Sequence, residues 1–276
     1  MERPLVTIGT PFYNSQWAIE RYEKGILDLD YPRDRIRILW VDNESTDHTL
    51  DRLKEFGSDY RGEYDDITII NRYRVEEKDT RLAFKKNIEN VFNDLISSSD
   101  PRTDLVIIGS DCIPPSDGLK KLLKMRELGG NIVAGLTIVC SGKQGDIFLA
   151  PHFSCYFWNQ KVSKFNSIPI AATKNQYYMK IVPRFQDKII RCHGIGTGFS
   201  MIDREVFNHV RFQADIKFGE DLLFCLEAGL CGYKIFCDTS LFYDHIHYDY
   251  QYKKDKKGFH LVYRGSLRGE KTYIKR

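Results

Sequence analysis

The sequence predicts an α/β protein with a mostly parallel central sheet, helices on both of its faces, and a smaller antiparallel or irregular part in the second half. Three observations carry this. Apolar runs of strand length alternate with helical patterns over the first 130 residues. Leu105-Val106-Ile107-Ile108 is apolar without alternation, as a strand buried on both faces is. The strands stop abruptly in polar turns at Thr10, Asp42 and Asp111. Right-handed βαβ connections put such ends on one rim, where open α/β sheets bind ligands.

Taken in order, Leu5 to Gly9 is the first strand, closed by Thr10-Pro11-Phe12-Tyr13-Asn14. Ser15 is placed to cap a helix over 16–29, with Trp17, Tyr22, Ile26 and Leu27 as its apolar face. Ile36 to Val41 is the second strand and ends in Asp42-Asn43-Glu44-Ser45-Thr46-Asp47. Leu50, Leu53 and Phe56 mark the next helix, which Gly57 stops. Ile67 to Ile70 is the third strand. Over 79–97, Phe84, Ile88, Val91, Phe92 and Leu95 recur at helical spacing. The Leu105 strand follows, cut off by Gly109-Ser110-Asp111 and by Pro114 and Pro115. A helix over 116–128 ends at Gly129-Gly130.

The second half changes character. Ile132 to Val139 reads as one strand, and 141–190 as an aromatic, basic stretch with strands near 153–158 and 177–182. His193-Gly194-Ile195-Gly196-Thr197-Gly198 lacks the spacing of a dinucleotide fingerprint; its glycines let backbone approach a ligand. Phe199 to Ile202 is a short strand and Asp203 to Val210 a short helix. Glu220-Asp221 opens a helix that Gly232 ends, and strands at 233–237 and 241–243 lead to Asp244-His245-Ile246-His247. From Lys253 the chain is basic with interspersed aromatics.

Composition narrows the function classes. With 42% apolar and 29% charged residues, the 276-residue chain has ordinary globular composition. A net charge of +3 is too small to point to nucleic acid. No apolar stretch approaches the roughly 18 residues that cross a bilayer, and the first residues carry no signal-peptide pattern. The seven cysteines are scattered without a Cys-x-x-Cys pair, which fits reduced thiols in a cytoplasmic chain and argues against a disulfide framework or zinc.

The rim residues suggest chemistry. Asp42 with Asn43 can read a base edge, whose imino proton needs an acceptor; an Asx turn uses the same residues. Asp111, just past a buried strand, can hold a divalent cation and through it a diphosphate; a turn or cap is its plainer use. Glu220-Asp221 gains from the helix dipole, and an acid there can also deprotonate an acceptor hydroxyl. His245 and His247 face one side if they lie on a strand, and either can ligate a metal.

Five segments, in this order, resemble a GT-A fold glycosyltransferase of family 2, the large inverting family that uses nucleotide-diphospho-sugars. Thr7 to Asn14 is similar to the family's opening strand and Pro-x-Tyr-Asn turn. Leu39 to Asp47 resembles its Val-Asp-Asp-Gly-Ser-x-Asp motif, and Phe84-Lys85-Lys86-Asn87 its Ala-Arg-Asn helix. Gly109-Ser110-Asp111 resembles its Asp-x-Asp. Gly219-Glu220-Asp221, with Phe224 and Gly232-Tyr233-Lys234-Ile235, is similar to its Glu-Asp helix and following strand.

The resemblance implies one Rossmann-like GT-A domain over 1–252, with a nucleotide-binding half at 1–130, an acceptor-binding half at 131–252, and a tail at 253–276. It implies that Thr10, Pro11, Tyr13, Asp42, Asn43, Lys86, Ser110 and Asp111 hold the nucleotide of a UDP- or GDP-sugar. Asp111 and His245 then bind Mn²⁺ or Mg²⁺, and Asp221 is the base with Glu220 beside it. The acceptor is a glycan, lipid-linked or protein hydroxyl, and no nucleic acid partner is implied. The basic tail suits peripheral contact with a membrane surface. Two residues depart from the pattern. Gly109 stands where the first Asp of Asp-x-Asp is usual, and Glu44 where glycine is usual. Gly109 keeps open a non-catalytic sugar-nucleotide- or carbohydrate-binding protein. A sugar nucleotidyltransferase fits less well, since Thr10 to Asn14 is not a glycine- and basic-rich loop.

Overall fold

The computed structural model describes residues 3–76, 79–141, 150–160, 163–168, 170–171, 178–181, 183–213, 219–246, 250–255 and 258–263. The first half alternates as the sequence predicts. Strand β1 (Val6–Phe12), helix α1 (Gln16–Leu27), β2 (Ile36–Asp42), α2 (Thr49–Asp59), β3 (Asp66–Asn71), α3 (Thr80–Ser98) and β4 (Asp104–Ile108) follow one another. A two-residue strand β5 (Cys112–Ile113), α4 (Gly118–Glu127) and β6 (Ile132–Leu136) complete it.

The second half contributes short strands. These are β7 (Ile138–Ser141), β8 (Ala150–Phe153), β9 (Cys155–Asn159), β10 (Lys164–Ser167), β11 (Ile170–Ala171), β12 (Tyr178–Ile181), β13 (Ile189–Cys192) and β14 (Gly194–Ile195). Then come β15 (Phe199–Ile202), a 3₁₀ turn (Arg204–Asn208), α5 (Glu220–Leu230), β16 (Ile235–Phe242), β17 (Asp244–His245), β18 (Tyr250–Asp255) and β19 (Gly258–Tyr263).

The main sheet has the order β13-β16-β6-β15-β4-β1-β2-β3. Strands β4, β1, β2 and β3 are parallel, as are β16 and β6; β15 and β13 run against them. Alternate residues of the buried strands feed two cores. Val106 and Ile108 join Ile8, Ile38, Tyr22, Leu53, Phe56 and Leu122 under α1, α2 and α4. Leu105 and Ile107 join Leu39, Val41, Val91, Leu95 and Phe224 under α3 and α5. Burial on both faces is why these strands read as continuous apolar runs.

Four local readings of the sequence change. The strand expected over 132–139 breaks at Thr137. Its N–H donates to Ser154 Oγ at 3.0 Å, its carbonyl accepts from Ser154 N–H at 3.0 Å, and its hydroxyl donates to the Tyr243 carbonyl at 2.9 Å. The chain therefore leaves the main sheet and pairs as β7 with β8. The two strands expected at 233–237 and 241–243 form the single strand β16, with an irregularity in register between Asp238 and Phe242. There Asp238 Oδ1 accepts from Ser240 N–H at 2.8 Å and Ser240 Oγ at 2.6 Å. Ser15 occupies the N-cap position of α1 without capping it; its hydroxyl donates to Ser110 Oγ at 2.9 Å across the rim. Residues 253–255 and 258–263, read as the start of a basic tail, belong to β18 and β19, which pair with each other, and β19 pairs on its other edge with β12. Phe259, Leu261 and Tyr263 alternate with other residues, the period of a strand.

One buried polar group ties the first two strands to α1. Tyr22 OH accepts from Trp40 Nε1 at 3.1 Å and lies 2.5 Å from Thr10 Oγ1, with all three residues buried. The Phe12, Tyr22 and Trp40 rings meet edge to face around it. Tyr22→Phe keeps the ring and strands two buried polar partners. It is expected to cost about 1–3 kcal/mol in urea unfolding, and a loss below a few tenths would contradict this account.

Candidate active site

The carboxyl ends of β1, β2 and β4 share one rim, as the register Phe12↔Asp42 and Gly9↔Ile107 requires. Because β15 enters antiparallel, Phe199 pairs with Ile108 and the glycine-rich turn before it reaches the same rim. The Gly109 N–H donates to the Gly198 carbonyl at 3.0 Å. A cleft of about 580 Å³ opens along this edge.

The loops after β1 and β2 are stitched to each other. Asn43 N–H donates to the Phe12 carbonyl at 2.9 Å. Asn14 N–H donates to Ser45 Oγ at 2.9 Å, and Asn14 Oδ1 accepts from Thr46 N–H at 2.8 Å. Asn14 and Glu44 have φ of 48° and 57°. Glu44 thus adopts the left-handed conformation that a glycine would take, and the turn is kept. Its carboxylate accepts from Arg74 N–H at 2.9 Å, and the Arg74 guanidinium lies 3.8 Å over the Tyr13 ring. Asp42 is fully buried; its Oδ2 accepts from Ser45 N–H at 3.0 Å. Asp42 Oδ1 and Asn43 Oδ1 are buried with no hydrogen-bond partner among the described residues. An orphaned buried acceptor costs about 1–3 kcal/mol, so both oxygens would gain from a donor that reached them.

Asp111, Cys112 and His245 meet at the next position along the rim. Strand β17 pairs with β5, setting His245 opposite Cys112, and Ile246 N–H donates to the Asp111 carbonyl at 2.7 Å. His245 Nε2 lies 3.3 Å from Asp111 Oδ2. Burial pulls the His245 pKa down, but the Asp111 carboxylate outweighs this and leaves it raised. The three side chains offer ligand atoms within 4.8 Å of one another, a donor set that fits a divalent cation.

The opposite wall is the first turn of α5. Glu220 accepts from Lys85 Nζ of α3 at 2.8 Å, a pair with both side chains 18% exposed. Asp221 Oδ1 accepts from Leu222 N–H at 2.8 Å. Burial, and then the Glu220 charge, push the Asp221 carboxyl up to about 7, against the pull of the Leu222 N–H and the Lys85 ammonium. A carboxyl so poised can exchange a proton near neutrality.

The cleft brings together Pro11, Tyr13, Asn43, Ser110, Asp111, Glu220, Asp221 and His245 of the residues singled out from the sequence. Asp42 sits beside it through Asn43. The Thr10 hydroxyl is committed to Tyr22. Lys86 is not in the cleft lining: it follows Phe84 by two residues, about 200° round the helix. His247 lies outside the described residues.

Sequence reasoning missed Cys112, Thr137, Ser154 and Tyr156, which also line the cleft. Phe84 and Ile88, known from the sequence only by their helical spacing, also line the cleft, and Phe84 is 54% exposed. Sequence reasoning also missed the task of Asn87. This buried amide accepts from Val75 N–H at 2.8 Å and donates to the carbonyls of Val75 at 3.0 Å and Ala83 at 2.8 Å, fixing the loop after β3 to α3. The signal was a polar residue interrupting an apolar helical pattern.

Solved structures share this architecture. A structure of GalNAc-T7 with UDP, GalNAc and Mn²⁺ matches with a TM-score of 0.59 at 15% identity, over 90% of this chain and 45% of that one. The mannosyltransferase PcManGT from Pyrobaculum calidifontis, in complex with GDP-Man and Mn²⁺, matches with a TM-score of 0.56 at 18% identity, over 87% and 56%. These likenesses define the fold as GT-A. The glycosyl transferase family 2 model matches residues 7–211, and the chain belongs to that family. A curated relative from Methanococcus voltae, dolichyl N-acetyl-alpha-D-glucosaminyl phosphate 3-beta-D-2,3-diacetamido-2,3-dideoxy-beta-D-glucuronosyltransferase, is 29% identical over 116 residues. That match covers 42% of this chain and 32% of the relative, so the chain spans about a third of that relative's length.

Asn87→Ala is expected to cost about 3 kcal/mol, from three buried hydrogen bonds at roughly 1 each, and to speed amide exchange at Val75. Unchanged exchange there would show that the amide does not hold the loop.

Proposed function

We propose that this chain transfers a sugar from a nucleoside-diphospho-sugar to a hydroxyl acceptor, with inversion and with a divalent cation. The observation that carries the reading is the gathering of Asn43, Asp111, Asp221 and His245 around one cleft from four distant parts of the chain. The donor lies along the rim. Its base meets Asp42 and Asn43, whose orphaned oxygens need donors, beside Pro11 and Tyr13. Its diphosphate reaches Ser110 and Asp111.

Asp111 and His245 would hold the cation, which would supply positive charge against the departing diphosphate. Asp221 takes the proton of the acceptor hydroxyl. The oxygen then attacks the anomeric carbon from the face opposite the diphosphate, and the bond to the diphosphate breaks as the new one forms. Glu220, held by Lys85, keeps the first turn of α5 in place and raises the proton affinity of Asp221. Phe84 and Tyr156 give the cleft apolar walls, as sites for small organic ligands commonly have.

Two measurements test this. UDP, GDP, dTDP and CMP, each with and without Mn²⁺, are compared by thermal shift. One nucleoside diphosphate is expected to raise the melting temperature, and more so with metal, by mass action. No shift with any of them would remove the donor reading. With the donor so named, Asp221→Asn is expected to lower transfer by about 10²–10⁴-fold while leaving the nucleotide shift intact. Retained transfer would remove Asp221 as base and leave open a binding protein with this fold.

The pH dependence has a defined sign. Asp221 works as a base only when ionised, and its carboxyl sits near 7. The rate is expected to rise about tenfold per pH unit below that value and to level off above it. A flat profile between pH 5 and about 8 would contradict the assignment.

A further inference from the structure

The cation site contains a thiol that the oxygen and imidazole chemistry of the proposed reaction does not use. Cys112 stands directly opposite His245 in the β5–β17 pair, and opposed residues of an antiparallel pair project to the same face. Its Sγ lies 3.6 Å from Asp111 Oδ1, while His245 Nε2 lies 3.3 Å from Asp111 Oδ2. Ligands at about 2.0–2.3 Å from a tetrahedral ion are separated by roughly 3.3–3.7 Å. The two spacings run to the two oxygens of one carboxylate, and the three ligand atoms lie within 4.8 Å of one another, so a single ion is within reach of all three side chains.

Two glycines hold the thiol there. A Cβ at Gly109 would sit 3.0 Å from Cys112 Sγ, and a Cβ at Gly198 would sit 2.9 Å from it. The sulfur thus fills the space that the missing first carboxylate of the rim motif would enter. Cys112 is 3% exposed yet lines the cleft, so its sulfur is shielded from bulk water and open to the site.

We infer that Cys112 is the third protein ligand of the cation site made with Asp111 and His245, and that this site favours thiophilic divalent ions such as Co²⁺, Zn²⁺ and Cd²⁺. The inference rests on the cation-binding part of the proposed function and deepens it. On binding, the thiol loses its proton to solvent and the thiolate forms the bond to the ion; nothing is oxidised or reduced. A carboxylate, an imidazole and a thiolate form a mixed set that Mg²⁺ does not prefer, because Mg²⁺ demands oxygen ligands. Sequence spacing could not reveal the set, since Cys112 and His245 are joined only through strand pairing.

The test adds cobalt(II) chloride alone to the full chain, in a non-thiol reductant, and records the absorption spectrum. The background carries Cys231→Ser, because Cys231 is the exposed cysteine among the described residues. One equivalent is expected to produce a sulfur-to-cobalt charge-transfer band in the near ultraviolet. Cys112→Ser is expected to abolish the band and weaken Co²⁺ binding by about tenfold or more. If that variant fails to fold, X-ray absorption of the Zn²⁺ complex of the unsubstituted site decides, with one sulfur expected at about 2.3 Å.

Absence of the band, its persistence in Cys112→Ser, or a zinc shell without sulfur overturns the inference. Those results leave the broader reading standing if the nucleotide shift still depends on Mn²⁺ and is lost in Asp111→Asn. A cobalt band that requires Cys112, with no metal-dependent nucleotide shift, supports the thiol ligand and removes metal-dependent transfer.

Discussion

The constraint on which the site depends is the antiparallel entry of β15 between β4 and β6. A purely parallel sheet would leave the edge of β4 to a strand arriving from below. Here the strand starts at the rim, so the glycine-rich turn before it arrives beside Gly109, which is bonded to Gly198. Both neighbours of β15 run the other way, and their ends deliver Asp111 and Thr137 to the same edge. Strand β16 follows β6 in parallel and hands on Tyr243 and His245. One reversed strand of four residues therefore joins the first half of the chain to the second across a single cleft.

Much of this was legible in the sequence, for identifiable reasons. Strands buried on both faces must be apolar without alternation, and they must end where the chain meets water. That located β1, β2 and β4 and exposed Asp42 and Asp111 at their ends. The direction of Phe199 to Ile202 was not legible, because four apolar residues carry no sign of which way they run. Thr137 looked like part of a strand, since a β-branched residue suits one. Only its bonds to Ser154 and Tyr243, far along the chain, show that it ends one strand and begins another. Phe84 and Ile88 share the spacing of core residues, and periodicity cannot separate a core face from a cleft wall. Lys86 was singled out by the family resemblance alone, and the pair that its neighbour Lys85 makes with Glu220 had no sequence signal.

The rim is held in a costly conformation by small contacts. Asn14 and Glu44 each occupy the left-handed region, which costs roughly 1–2 kcal/mol for a residue with a Cβ. Asn14 is repaid through Ser45 and Thr46, and Glu44 through the Arg74 amide. Ser15 gives up capping its helix to reach Ser110. These choices reduce local stability in favour of a fixed edge, as functional loops commonly do. The result is a rim with two orphaned oxygens on an otherwise well-bonded frame.

The pairing of β17 with β5 has a consequence for synthesis. Asp111 and His245 are 134 residues apart. At about 5–20 residues per second, roughly 7–27 s separate their emergence from a ribosome. Throughout that interval the growing chain carries the rim carboxylate and the thiol without the histidine. The site closes only after the last strand of the main sheet has docked. A premature stop before Tyr243 would leave β1 to β4 and their rim in place, yet make a protein in which the imidazole never arrives.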